Sequence, residues 1–191
     1  QAIPMGIAVD ATRLYWTNSA NGTVWGANLD GTNRRQLVGG QTAPVGVAVS
    51  ANGLFWSDVL AKTISQSGLD GSNSEVTVTG LSDPQLMAFG LSAQDAVSWV
   101  NGDPGVVSQA NLDGTDARVL ISGPDVDVQG VVADSPHVYW ADAGSGAILR
   151  SGLDGAGAEV FAANQGAAGL AIDLLYLYWT DDESSIWRAP L

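Results

Sequence analysis

Four short apolar runs, each opened by glycine, recur along the chain: Gly6-Ile7-Ala8-Val9-Asp10, Gly46-Val47-Ala48-Val49-Ser50, Gly130-Val131-Val132-Ala133-Asp134 and Gly169-Leu170-Ala171-Ile172-Asp173. Such runs are apolar on both faces and suit strands buried on both sides, and their Gly and Ala positions let neighbouring strands crowd around an axis. The polar break that ends each run leads into a second strand carrying a Trp, and residues 24–29 alternate as a third. Leu-Asp-Gly then turns the chain. Glycine accepts positive φ without steric cost, so Asp-Gly between strands predicts a tight hairpin, and residues 35–38 supply a fourth strand. No segment sustains a helical period.

The pattern is periodic. Trp16, Trp56, Trp99, Trp140 and Trp179 are spaced 40, 43, 41 and 39 residues apart, and each sits in a variant of one motif, from Tyr15-Trp16-Thr17-Asn18 and Phe55-Trp56-Ser57-Asp58 to Tyr178-Trp179-Thr180-Asp181. Leu29-Asp30-Gly31, Leu69-Asp70-Gly71, Leu112-Asp113-Gly114 and Leu153-Asp154-Gly155 each begin 13 residues after their Trp. Two markers in register at a period near 40 signify one supersecondary unit per repeat. The predicted fold is all-β: a five-bladed β-propeller of four-stranded antiparallel blades, one domain over 1–191, with repeats at about 4–43, 44–83, 84–127, 128–167 and 168–191.

Two repeats depart from the pattern. In repeat three, Pro84 lies 15 residues before its Trp where Pro4 and Pro44 lie 12 before theirs, and Leu86 replaces the opening glycine, so a bulge or longer turn is expected near residues 89–95. Repeat five stops at Leu191, 12 residues past Trp179, which predicts a three-stranded last blade. Its third strand, residues 185–189 with Trp187, would be an open edge where the protein self-associates or accepts a partner's strand.

The glycine-opened strand, Tyr139-Trp140-Ala141-Asp142, Tyr178-Trp179-Thr180-Asp181 and the Leu-Asp-Gly turns together resemble the YWTD repeats of the low-density lipoprotein receptor class, over residues 4–191. The resemblance implies an extracellular or receptor propeller that binds proteins; members usually have six blades and cysteine-rich flanking modules. This chain has five repeats and no Cys. The resemblance also implies that the closing Asp or Asn of the motif (Asn18, Asp58, Asn101, Asp142, Asp181) bonds backbone groups between neighbouring blades. Asn at two of these positions keeps an acceptor and loses the charge, which fits hydrogen bonding better than metal ligation. The five motif Trp are expected between blades; Trp25 and Trp187 occupy equivalent third-strand positions outside the motif.

Charge narrows the partners. The formal net charge is −13, and 17 of the 20 acids are Asp. Such a field disfavours nucleic acid and anionic membranes, while turn and cap chemistry accounts for most of the Asp. No apolar run reaches the ~20 residues of a membrane helix. A chain opening at Gln1 without Met fits either an exported protein after signal removal, extracellular, periplasmic or at the cell surface, or an engineered boundary.

Candidate chemistry is sparse. His137, the one histidine, shares a tight turn with Asp134 and Ser135, which is the wrong geometry for a triad, and with no Cys the chain is poorly equipped for zinc. Asp10, Ser50, Asp134 and Asp173 end equivalent innermost strands and would ring one mouth of a central channel. Carboxylates so placed suit a glycoside hydrolase or lyase, or hold a hard cation such as calcium through Asp10, Asp134 and Asp173. Because the repeat itself sets the position, a folding role is favoured and no cofactor is expected. Asn21-Gly22-Thr23 matches a glycosylation pattern and reads as a turn. The leading expectation is a non-enzymatic module that binds a protein ligand, preferentially basic, through Asn101, Asp103, Asp125, Asp127, Asp182 and Glu183, in loops after the Trp motif and connectors between blades. A glycosidase or lyase is the alternative, followed by a self-assembling structural propeller.

Overall fold

The computed structural model describes residues 2–89, 96–102, 105–123, 127–134, 136–163, 165–181 and 183–191, with backbone alone for 86–89. Five antiparallel sheets result. The first contains β1 (Pro4–Val9), β2 (Arg13–Asn18), β3 (Thr23–Asn28) and β4 (Arg35–Val38), and the second β5 (Pro44–Ser50), β6 (Gly53–Asp58), β7 (Thr63–Ser67) and β8 (Glu75–Val78). The third holds β9 (Pro84–Phe89), β10 (Ala96–Asn101), β11 (Val106–Asn111) and β12 (Arg118–Ile121), and the fourth β13 (Val128–Ala133), β14 (His137–Asp142), β15 (Ala147–Gly152) and β16 (Glu159–Ala162). The fifth has three strands, β17 (Leu170–Ile172), β18 (Tyr176–Thr180) and β19 (Ile186–Pro190). Each sheet is a meander with strands in chain order, the blade of a β-propeller. The expected all-β fold, the five blades and the three-stranded last blade are all present; the bulge expected near 89–95 falls almost wholly outside the described residues.

The chain divides into two compact units, residues 1–87 and 88–191. In the first, Tyr15, Val24 and Val38 of blade one join Val47, Leu54 and Trp56 of blade two in one core. In the second, Tyr139, Ala141 and Ile148 of blade four join Ala167, Leu177 and Trp179. The motif Trp therefore lie within cores: Trp56 is 0% exposed, Trp99 and Trp140 2%, and Trp179 5%. Trp16 is half-buried, the exception among the five.

Two local expectations need correction. The Leu-Asp-Gly turn is not a two-residue hairpin: β3 ends at Asn28 and β4 begins at Arg35. The Asp30 carboxylate accepts the Thr32 N–H at 2.9 Å, the Asn28 N–H reaches the Thr32 carbonyl, and both Gly31 (φ 78) and Asn33 (φ 51) take the left-handed conformation, so the chain needs a wider loop. Asp70, Asp113 and Asp154 repeat the arrangement. Second, the first strand is not buried on both faces in every blade. Val47 is 6% and Val131 7% exposed, but Ile7, which pairs with Trp16 as they pair with Trp56 and Trp140, is 70% exposed.

Candidate interaction surface

Within a blade the second strand has two functional ends. At its start lies the tight turn from the first strand, built around the Asp that closes the apolar run. Asp10 Oδ1 accepts the N–H groups of Thr12 and Arg13, and its Oδ2 accepts the Tyr15 hydroxyl at 2.9 Å. Asp173 accepts Leu175 and Tyr176 N–H and the Tyr178 hydroxyl at 2.8 Å; Asp134 accepts the His137 N–H, with the Tyr139 hydroxyl at 3.4 Å. In blade two Phe55 replaces the Tyr, and the turn residue is Ser50, whose hydroxyl accepts the Asn52 N–H. The carboxylate and the phenol thus come and go together, five residues apart, a coupling visible in the sequence once the Asp-to-Tyr spacing is compared across repeats.

These bonds set the electrostatics. Burial pushes the Asp10 carboxyl up, but hydrogen bonds from Thr12, Arg13 and Tyr15 outweigh it and hold it below the usual carboxylate range. Burial, then the Asp10 bond, raises the Tyr15 phenol to about 12. Backbone bonds from Leu175, with the Tyr178 hydroxyl and the Tyr176 amide, lower Asp173. The carboxylates considered for catalysis or calcium are therefore engaged as turn locks. Among the described residues no group of three or more acidic or histidine side chains has metal-binding geometry. His137 Nδ1 stands 3.7 Å from Asp134 Oδ1 within its own turn, and its ring packs edge-on to Tyr139.

The opposite end of the second strand carries the motif Asp. Asp58 accepts N–H groups from Thr42 and Ala43 of the preceding connector and from Ala61 of the following loop. Asp142 does the same with Asp127, Gly144 and Ser145. Asp181 accepts Glu183 and Ser185 N–H groups and the Trp187 indole N–H at 2.6 Å. Loop and connector also bond directly, Gln41 N–H to the Gly22 carbonyl, Leu81 to Lys62 and Gln165 to Gly146. In blades one, two and four the loop after the motif is thus tied to a connector at this end.

Of the residues expected to bind a ligand, Asp127 and Glu183 are exposed at this end, Asp127 within 2.8 Å of Gln129 Nε2. Asn101 requires correction: it is 7% exposed, accepts the Trp99 indole N–H and donates to Ser108, because an amide can satisfy that buried indole where solvent is excluded. Asp103, Asp125 and Asp182 lie outside the described residues. Not foreseen is an open pocket of about 320 Å³ on blade one, lined by Ala2, Pro4, Trp16, Asn18, Trp25 and Arg34. Trp16 and Trp25 stack there with centroids 6.2 Å apart, and Arg34 Cζ stands 6.0 Å from the Trp25 ring.

No family model matches the chain. Among solved structures, a chain of the crystal structure of the nidogen/laminin complex superposes with TM-score 0.84 at 22% identity, covering 100% of this chain and 76% of that one. A catalytically inactive virginiamycin B lyase from Staphylococcus aureus with quinupristin gives 0.72 at 13% identity, covering 100% and 70%. A streptogramin B lyase gives 0.73 at 9%, covering 98% and 68%. The chain has the β-propeller fold that these structures share.

Proposed function

We propose that this protein is a non-enzymatic β-propeller that binds a protein ligand at the motif end of its blades. The observation that carries this is the division of its acids. The motif Asp and turn Asp are consumed holding backbone, whereas Asp127 and Glu183 stand exposed beside two of those anchors on loops already fixed in place. A fixed acidic surface favours a basic segment, with charge supplying association rate and selectivity more than affinity. The nidogen/laminin likeness, a propeller from a protein complex, supports the same reading and an exported location. The lyase likenesses keep a second reading in view, but the single histidine and the turn-locked Asp leave no obvious acid–base pair. No resident cofactor belongs to the proposed role.

The test uses a Lys- and Arg-rich peptide as probe. Binding that weakens as salt rises and falls about tenfold in the Asp127→Asn, Glu183→Gln double variant supports the proposal, since two charge contacts of about 0.7 kcal/mol each give that factor. Unaltered binding in the double variant refutes the assigned surface. Turnover of a polysaccharide or of quinupristin that disappears in folded Asp134→Asn replaces the proposal with the enzymatic reading. A melting shift with millimolar Ca²⁺ would show a cation site that the proposed role does not need.

A further inference from the structure

Seven dipeptides in the chain carry the groups for one intramolecular reaction: Asn21-Gly22, Asn52-Gly53 and Asn101-Gly102, and the Asp-Gly pairs at 30–31, 70–71, 113–114 and 154–155. The glycine amide nitrogen, unhindered because glycine has no Cβ, attacks the preceding side-chain carbonyl carbon and closes a five-membered succinimide. Asparagine expels ammonia in that step, whereas a carboxylate must first be protonated. Each site is decided by whether its side chain and its glycine nitrogen are both released.

The structure restrains six of the seven. In the Asp-Gly loops Oδ1 of Asp30, Asp70, Asp113 and Asp154 accepts the N–H two residues on at 2.9 Å, and each glycine N–H donates to a carbonyl at 2.9 Å. Side-chain and then backbone bonds from Thr32, Ser72 and Thr115 keep the first three carboxyls below the usual range, in the ionised form that resists attack. Asn101 is 7% exposed, and its amide is engaged by the Trp99 indole and by Ser108. Gly53 belongs to β6 and pairs with Ser50 across its turn, so its nitrogen moves only with the ladder.

Asn21-Gly22 differs. Asn21 ends the single 3₁₀ turn that begins at Ser19; it is exposed, and its side chain has no partner among the described residues. The Gly22 N–H reaches the Ser19 carbonyl at 3.3 Å, longer than an ordinary amide bond. Gly22 takes φ 60 and is buried, because Gln41 lies where a side chain would stand. That cover is on the Cβ side, and the nitrogen is left to the one long bond. The Gly22 carbonyl accepts the Gln41 N–H at 3.0 Å, and Gln41 Oε1 accepts the Trp56 indole N–H at 2.8 Å.

We propose that Asn21 is a self-modification site, at which Gly22 displaces ammonia and water opens the succinimide to aspartate or isoaspartate. The Gly22 N–H proton passes to hydroxide or buffer base as the new N–C bond forms, and the side-chain nitrogen departs as ammonia. Water adding at Cγ restores the main chain and leaves aspartate. Water adding at the main-chain carbonyl leaves isoaspartate, whose backbone runs through Cβ and is one atom longer. Both products add a carboxylate at the motif end of blade one. Only the longer chain displaces the Gly22 carbonyl from Gln41, and with Gln41 the acceptor of the Trp56 indole, so isoaspartate loosens the tie between blades one and two.

The full chain, held in mildly alkaline buffer, is digested with trypsin and followed by tandem mass spectrometry of peptides 14–34, 36–62 and 63–118, which carry the three Asn-Gly pairs separately. Asn21 should convert first, and more than about ten times faster than Asn101, whose reaction waits for the core to open. Isoaspartyl methyltransferase should label peptide 14–34 of the aged parent and not that of aged Asn21→Gln, since glutamine would have to close a slower six-membered ring. The isoaspartate form, separated chromatographically, should melt about 2 to 4 °C below the parent, the effect of one lost hydrogen bond in a chain of this size. Asn21→Asp, which has the charge and the ordinary backbone, should melt with the parent. If Asn21 stays intact while Asn52 or Asn101 converts, the proposal is overturned. If the isoaspartate form melts together with Asn21→Asp, the loosening of the tie is overturned.

Discussion

Tyr15 shows how a side chain conspicuous as a candidate for chemistry can be part of the scaffold. Its hydroxyl donates to Asp10, and burial with that bond raises its pKa to about 12 from an ordinary 10.0. Folding favours the protonated phenol, so the bond's contribution is complete below pH 10.0 and is lost as pH rises toward 12. Ultraviolet titration should show one of the four tyrosines ionising last, accompanied by loss of tertiary structure, and Tyr15→Phe should remove that last step. An ordinary midpoint for all four would mean the Asp10 contact does not hold in solution. The sequence displayed Asp10, Asp134 and Asp173 at equivalent positions, but that alone is compatible with a ring of ligands and with three turn locks. What distinguishes them is the phenol five residues on, whose partnership needs the antiparallel register to be known.

Elements were legible in proportion to how strongly one face is buried. The buried strands carrying Trp56, Trp99 and Trp140 were located by their motif, and β4 was anticipated at its observed bounds because the turn before it is marked by Asp-Gly. The turn's true width was not, since it depends on Asp30 capturing a backbone amide and on Asn33 adopting positive φ, choices that neighbouring strands do not dictate. Asn101, expected both to hydrogen-bond within the motif and to face a ligand, is buried because the Trp99 indole needs an acceptor, a demand that only the packed strand reveals. Packing at this scale makes a simple prediction. Trp140 is 2% exposed, so Trp140→Ala should destabilise by about 3 to 5 kcal/mol, the range for deleting a large buried aromatic. Chemical denaturation measures it directly, and a loss below about 1 kcal/mol would place the ring in solvent.

For the whole molecule, two electrostatic effects pull stability in opposite directions with pH. At neutrality the formal charge of −13 sets many carboxylates against one another, and acidification toward the isoelectric point near 4.1 relieves that repulsion. The carboxylates that lock turns and loops behave differently. Asp142, raised by burial but lowered further by bonds from Ser145 and the backbone, lies below its ordinary 3.8. Side-chain and backbone bonds from Thr32, Ser72 and Thr115 lower Asp30, Asp70 and Asp113 in the same direction. A depressed folded-state pKa means stability that is present above the unfolded value and lost as pH falls through the folded one, so these locks hold down to about 3.8 and open below it. The melting temperature should therefore rise modestly from pH 7 to about pH 5 and fall steeply below about 3.5. Added salt should raise it at pH 7 more than at pH 5, because screening only helps while the charges repel. A melting temperature that climbed steadily to pH 3 would show that repulsion dominates and that the aspartate locks contribute little to holding the blades.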